Sequence, residues 1–152
     1  MEKKHDYLKY WKVIRHWTES KYDITTLELE FLLYVYSEKI ISQKDVRLFS
    51  RTGNFSDYSF EKLKERKLLL DMFPEIKEKY KTYKLSYKAS RIIDVLYRKL
   101  HGEEICVFPQ KNKLFLKNIS SKDKIYQSLI IRMNEEYKSK KARNSTLDDE
   151  IN

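Results

Sequence analysis

Two glycines and two prolines serve all 152 residues: Gly53, Gly102, Pro74 and Pro109. A β-sandwich or barrel needs many tight turns, so this scarcity points to long helices. The length suits one domain, or one domain with an appendage, and can bury a core without covalent staples. Hydrophobic residues make up 41% and aromatics 14%, which sets the chain apart from disordered sequences. Cys106 is the single cysteine, so no internal disulfide and no cysteine-based zinc site can form. That usage fits a reducing compartment. The N-terminus, MEKKHDYLKY, lacks the apolar stretch of a signal peptide. The longest apolar run, around Leu29–Tyr36, falls well short of the roughly 18 residues of a membrane span. The expectation is a soluble, cytoplasmic protein with no membrane partner.

Periodicity and caps predict six helices. The first covers about Asp6–Glu19, with Tyr7, Trp11, Ile14 and Trp17 at helical spacing and Tyr10 and Val13 beside them. The second begins at Thr25, which with Glu28 has capping-box spacing, and carries Leu27, Phe31, Tyr34 and Val35 inward. Ile40-Ile41 reads as a short extended link. The third spans about Gln43–Ser50 behind Ser42, with Asp45 three residues on and Val46 and Phe49 inward. Arg51-Thr52-Gly53-Asn54 reads as a tight turn, because Gly and Asn tolerate positive φ. The fourth runs over about Ser56–Lys67 with Phe60 and Leu63 inward.

Leu68–Phe73 then reads as a strand that Pro74 ends, and Tyr83–Leu85 as its return, a hairpin with a charged tip over Glu75–Lys81. The fifth helix runs from Ser86 to near Gly102, with Ala89, Ile92, Ile93, Leu96, Tyr97 and Leu100 on its apolar face. Residues 103–118 read either as a second hairpin, built on Ile105–Phe108 and Leu114–Leu116, or as an irregular wrap. The sixth helix opens at Ser120, with Ile125, Leu129, Met133 and Tyr137 on one face. A polar, frayed tail is expected over 144–152.

Net charge is +9 and the isoelectric point is about 9.4, which favours a polyanion: nucleic acid or an anionic membrane surface. The third and fourth helices, joined by a short turn, form a helix-turn-helix, and the charged hairpin behind them is a wing. Leu63-Lys64-Glu65-Arg66-Lys67-Leu68-Leu69, running from the fourth helix into the first wing strand, resembles that junction in the MarR family of winged-helix regulators. Leu85-Ser86-Tyr87-Lys88-Ala89 is similar to the family's wing-to-helix junction. The resemblance covers about residues 5–102 in element order. Gly102-Glu103-Glu104 leading into a last helix is similar to bacteriophage-encoded members. Three features depart from the family pattern: Lys67 stands where a glycine is usual, Lys77-Glu78-Lys79 replaces an Asp-Arg-Arg-like wing tip, and the segment after Gly102 is atypical.

The fold class expected is mainly α with a small β-hairpin wing (α+β), a winged helix-turn-helix with extra N- and C-terminal dimerisation helices. Its parts would be a winged helix-turn-helix domain over 1–102, a C-terminal extension over 103–143 and a flexible tail over 144–152. The resemblance implies double-stranded DNA as partner, with a recognition helix of about 56–67 in the major groove and a wing of about 70–85 on the backbone or minor groove. Lys44, Arg47 and Arg51 would clamp phosphates. Asn54, Ser56, Tyr58 and Lys62 would face the groove, and Lys77, Lys79, Lys81 and Lys84 would line the wing. Asp57 and Glu61 stand against this, since acids in a groove repel phosphate. The resemblance further implies a homodimer through the terminal helices, with Trp11, Trp17, Leu96, Ile125, Leu129 and Met133 at the interface; the same residues could instead close a larger monomeric core.

His5, His16 and His101 lack metal-ligand spacing, no two glycines are close enough to cradle phosphate, and Cys106 has no CxxC partner. No enzyme, no metal and no cofactor is expected. The function expected is a DNA-binding transcriptional regulator; the alternative is a phage virion or assembly protein that uses the fold as a protein–protein adaptor.

Overall fold

Hydroxyls that accept from the amide three residues further on set most helix starts. Thr25 Oγ1 accepts from the Glu28 N–H at 3.1 Å while Glu28 accepts from the Thr25 N–H at 3.3 Å, the reciprocal box its spacing predicts. Ser42 and Asp45 make the same pair, and Ser56 and Ser120 each accept one amide, from Ser59 and Asp123. The computed structural model describes residues 5–151, with side chains through Ser145; Met1–Lys4 and Asn152 lie outside the described residues. The elements are α1 (Trp11–Tyr22), α2 (Thr26–Glu38), β1 (Ile41–Ser42), α3 (Gln43–Arg51), α4 (Asp57–Glu65), β2 (Leu69–Asp71), β3 (Thr82–Leu85), α5 (Tyr87–Leu100) and α6 (Ser121–Ile151). Short 3-10 turns occupy Glu78–Tyr80 and Lys113–Phe115.

The chain divides into two units, residues 22–95 and the paired segments up to 21 and from 96. This differs from the expected boundary at 102, because α1 packs with the C-terminal segment.

In the unit of residues 22–95, a cluster of aromatic rings joins the helices. Phe31 of α2 is fully buried, stacks on Phe55 at 4.6 Å and meets Phe49 and Phe60 edge-on at 5.2 and 6.1 Å. The sheet has three antiparallel strands in the order β1-β3-β2, with Ile41 opposite Tyr83 and Leu69 opposite Leu85. The expected hairpin is therefore present, and Ile41 of the expected link, with Ser42, supplies a third strand. A two-residue strand carries too little periodic signal to be read alone; it exists because β3 offers it a partner. Gly53 does not use a positive φ, and neither does Asn54. The turn is closed instead by Thr52, whose N–H and hydroxyl both donate to the Phe49 carbonyl.

In the unit formed by the terminal segments, α1 starts at Trp11 rather than Asp6. The Asp6 carboxylate accepts from the Leu8 and Lys9 amides at 3.2 and 3.1 Å, a local turn that competes with a helix there. Val13, Ile14 and Trp17 form the buried apolar face of α1, Tyr10 is buried just before it, and Tyr7 is exposed. Trp17, Leu96 and Met133, expected at a dimer interface, are 3%, 1% and 0% exposed, so they are core within one chain. Lys99 and Lys21 ammonium groups lie 5.6 and 5.2 Å from the Trp17 ring. Trp11 and Leu129 are half-buried and Ile125 is exposed.

The inward stripe of α6 is Tyr126, Ile130, Met133 and Tyr137. Ile125 and Leu129 lie to one side of it, because a 3.6-residue period fixes the spacing of a stripe better than its rotation. Tyr97 of α5 is likewise exposed, although its spacing places it on the apolar face. Residues 103–119 contain no strand and form an irregular wrap with Ile105 and Leu114 buried. The backbone is helical through Ile151; side chains beyond Ser145 lie outside the described residues.

Candidate nucleic-acid interface

The helix-turn-helix is held from both ends. At its start the Gln43 N–H donates to the Lys81 carbonyl at 3.1 Å, and the Tyr83 hydroxyl donates to Gln43 Oε1 at 2.8 Å. Burial, with Asp71 behind it, pushes the Tyr83 phenol up to about 12, so it stays a donor throughout the physiological range. At the end of α4, Leu68 N–H donates to the Leu63 carbonyl and Lys67 N–H to the Lys64 carbonyl, both at 3.0 Å. This is a Schellman cap, and its left-handed position falls on Lys67, at φ 57°. The residue that departs from the resembled pattern thus keeps the conformation for which glycine is suited. Lys67→Gly should stabilise the protein by about 0.5–1 kcal/mol, because it removes the Cβ strain of that conformation. A urea midpoint that fails to rise would count against this reading. The Arg66 guanidinium secures the same corner, donating to the Tyr22 and Asp23 carbonyls at 2.8 and 2.7 Å.

Between α3, α4 and the wing lies a cleft of about 630 Å³. Arg47, Arg51, Lys64 and Lys81 line it, opposed by Asp57, Glu61 and Glu78. The acids expected to disfavour a groove contact have local roles. Asp57 stands in the first turn of α4, where a negative charge suits the helix dipole, and Glu61 pairs with Lys64 at 3.0 Å. Lys81 is expected from sequence to reach phosphate, but its ammonium is bound to the Asp71 carboxylate and donates to the Pro74 carbonyl. It closes the wing instead.

The remaining candidates lie open. Lys44, Arg47, Arg51, Asn54, Ser56, Lys77, Lys79 and Lys84 are exposed, Tyr58 is 77% exposed, and Lys62 is half-buried. Ser56 has its hydroxyl engaged in capping α4. Gln43 and Lys64, not singled out from sequence, also line the cleft. Lys64 sits three residues after Glu61, a spacing that announces their pairing.

No family model matches the chain, and no curated protein does either. A solved structure does match: a crystal structure of a MepR mutant from a multidrug resistant S. aureus clinical isolate. The identity is 17%, the TM-score is 0.52, and the match covers the whole of both chains. The fold is a MarR-like winged helix. In this MarR-like fold α3 and α4 are the helix-turn-helix, and β2 and β3 are the wing. Among the described residues, no group of three His, Cys, Asp or Glu side chains could hold a metal ion, and no helix is long and apolar enough to cross a membrane.

Proposed function

We propose that the chain is a transcriptional regulator that binds double-stranded DNA through α4 in the major groove and through the wing on the backbone. The observation that carries this reading is the pairing state of the cations. Among the described residues Lys44, Arg47, Arg51 and Lys62 form no ion pair, nor do Lys77, Lys79 and Lys84 of the wing. Lys64 and Lys81, whose charges are neutralised by Glu61 and Asp71, are the exceptions on this face. Free cations on exposed helix and hairpin surface suit phosphate contacts, which position a protein on a duplex, while Asn54 and Tyr58 stand free to meet base edges.

Gel-shift titration of the full chain against genomic fragments tests this. The Arg47→Ala, Arg51→Ala double variant should weaken binding about tenfold or more. It should also lower the slope of log affinity against log salt by about 1.8, about 0.9 for each phosphate that the two arginines neutralise. Unchanged slope and affinity would remove α3 from the interface.

The reading includes a homodimer, for which Trp11, Ile125 and Leu129 remain the available members of the expected interface. Sedimentation of the full chain as a monomer at micromolar concentration would remove that part. A second reading, a protein–protein adaptor, is favoured by Asp57, Glu61 and Glu78 in the cleft; capture of a stable protein complex without DNA retention would select it.

A further inference from the structure

The chain's positive charge is not concentrated on the winged helix. Residues 22–95 carry fourteen Lys and Arg against twelve Asp and Glu, a net +2, so +7 of the chain's +9 belongs to the terminal segments. Within those segments it is concentrated further. Residues 105–134 hold six cations, Lys111, Lys113, Lys117, Lys122, Lys124 and Arg132, and one carboxylate, Asp123, a net +5. All six cations are exposed, and among the described residues none forms an ion pair. Asp123 is held by His16 at 2.9 Å, and His16 stacks on Tyr126 at 3.8 Å.

These lysines stand on a fixed backbone. Asn112 is buried, donates to the Cys106 carbonyl at 2.8 Å and accepts from the Leu114 N–H at 3.0 Å. Leu114 is buried too, and its 3-10 turn packs on α6. Lys111 and Lys113 flank this anchored asparagine and point outward. Lys122 and Lys124 lie in the first turn of α6, where a positive charge opposes the helix dipole. Helix stability therefore does not account for them. Exposed cations left without carboxylate partners on a pinned loop and helix start favour a polyanion.

We infer that residues 111–124 form a second nucleic-acid surface, separate from the helix-turn-helix, that takes the phosphodiester backbone of double-stranded DNA without regard to sequence. Lysine is a point charge that meets phosphate rather than reading a base edge, which sets this surface apart from α4. An anionic bilayer would call for the cations to flank a continuous apolar helix face; the exposed apolar side chains here, Val107, Phe108 and Leu116, stand on the irregular segment, and Ile125 and Ile131, six residues apart on α6, do not share one face.

The test uses the full chain and a 40-base-pair duplex of arbitrary sequence, with affinity measured across salt concentrations. A variant with Lys111, Lys113, Lys117, Lys122 and Lys124 all changed to Gln should lose about 2.7 or more from the log–log salt slope, about 0.9 for each of at least three phosphates. Circular dichroism should match the parent, since all five side chains are exposed. The single variants Lys113→Gln and Lys117→Gln should each lose about 0.9, which keeps the test open if the fivefold variant misfolds. The Arg47→Ala, Arg51→Ala background separates the two surfaces. If the helix-turn-helix reading fails, that pair changes nothing while the lysine variants still lower the slope. A slope unchanged in folded lysine variants overturns the inference. So does lysine-dependent binding to phosphatidylserine vesicles with the DNA slope unchanged.

Discussion

Phe31→Ala should cost about 3–5 kcal/mol, the range for a large aromatic removed from a well-packed core. Phe31 is fully buried and lies at the centre of the aromatic cluster: Phe55 stacks on it, and Phe49 and Phe60 meet it edge-on. These partners come from α3, from the turn after it and from α4, so one cavity loosens every part of the helix-turn-helix. Collapse of the cavity is limited because Phe60 is also held edge-on against Tyr83 of β3 at 5.1 Å. Urea denaturation measures the loss directly. A cost below about 1.5 kcal/mol would mean that the cluster repacks and is not what fixes α3 against α4. DNA affinity should fall with it, since the two helices would no longer be held in one geometry.

Asn134→Ala should cost about 2–4 kcal/mol. Asn134 accepts from the Ile105 N–H at 2.9 Å and donates to the Ile105 carbonyl at 2.8 Å, both inside the protein. Truncation leaves a buried donor and a buried acceptor without partners, and each carries a desolvation penalty of about 1–3 kcal/mol. The loss should be local in its consequences. Residues 103–119 have no sheet to hold them, so their amide protection against hydrogen exchange should fall more than that of α2 or α4. Uniform loss of protection across the chain would show that the wrap and the winged helix unfold together. The substitution also probes the second DNA surface, because Asn134 and Asn112 fix the two ends of the stretch that leads to Lys111.

Much of the architecture was legible in the sequence because it is decided within three or four residues. Thr25 with Glu28 and Ser42 with Asp45 are capping pairs wherever they fall before an apolar periodic run. The order helix, turn, helix, hairpin follows from them and from Pro74. The solvent exposure of the polar residues on α3 and α4 was legible for the same reason: once the two helices are placed, the residues left over from Val46, Phe60 and Leu63 must face outward. What local reading could not supply was pairing. Lys81 looks like any wing lysine until Asp71 of the neighbouring strand claims it, and Gly53 looks like a turn glycine although Thr52 closes the turn. The acids Asp57 and Glu61 are a different case, because the helix start at Ser56 and the Glu61–Lys64 spacing are both local and both roles were open to a local reading.

The scarcity of glycine and proline, the caps and the apolar spacing by themselves determined that this chain builds long helices around a helix-turn-helix with a hairpin behind it. These are short-range effects of hydrogen-bond reach and helical period. Tertiary structure alone decided which side of α6 turns inward, that Trp17, Leu96 and Met133 are core rather than interface, and that Ile41-Ser42 becomes a strand. It also decided which cations remain unpaired, and so where the protein can meet a polyanion. Each of these depends on groups far apart in sequence, and their burial and charge are set only when those groups come together.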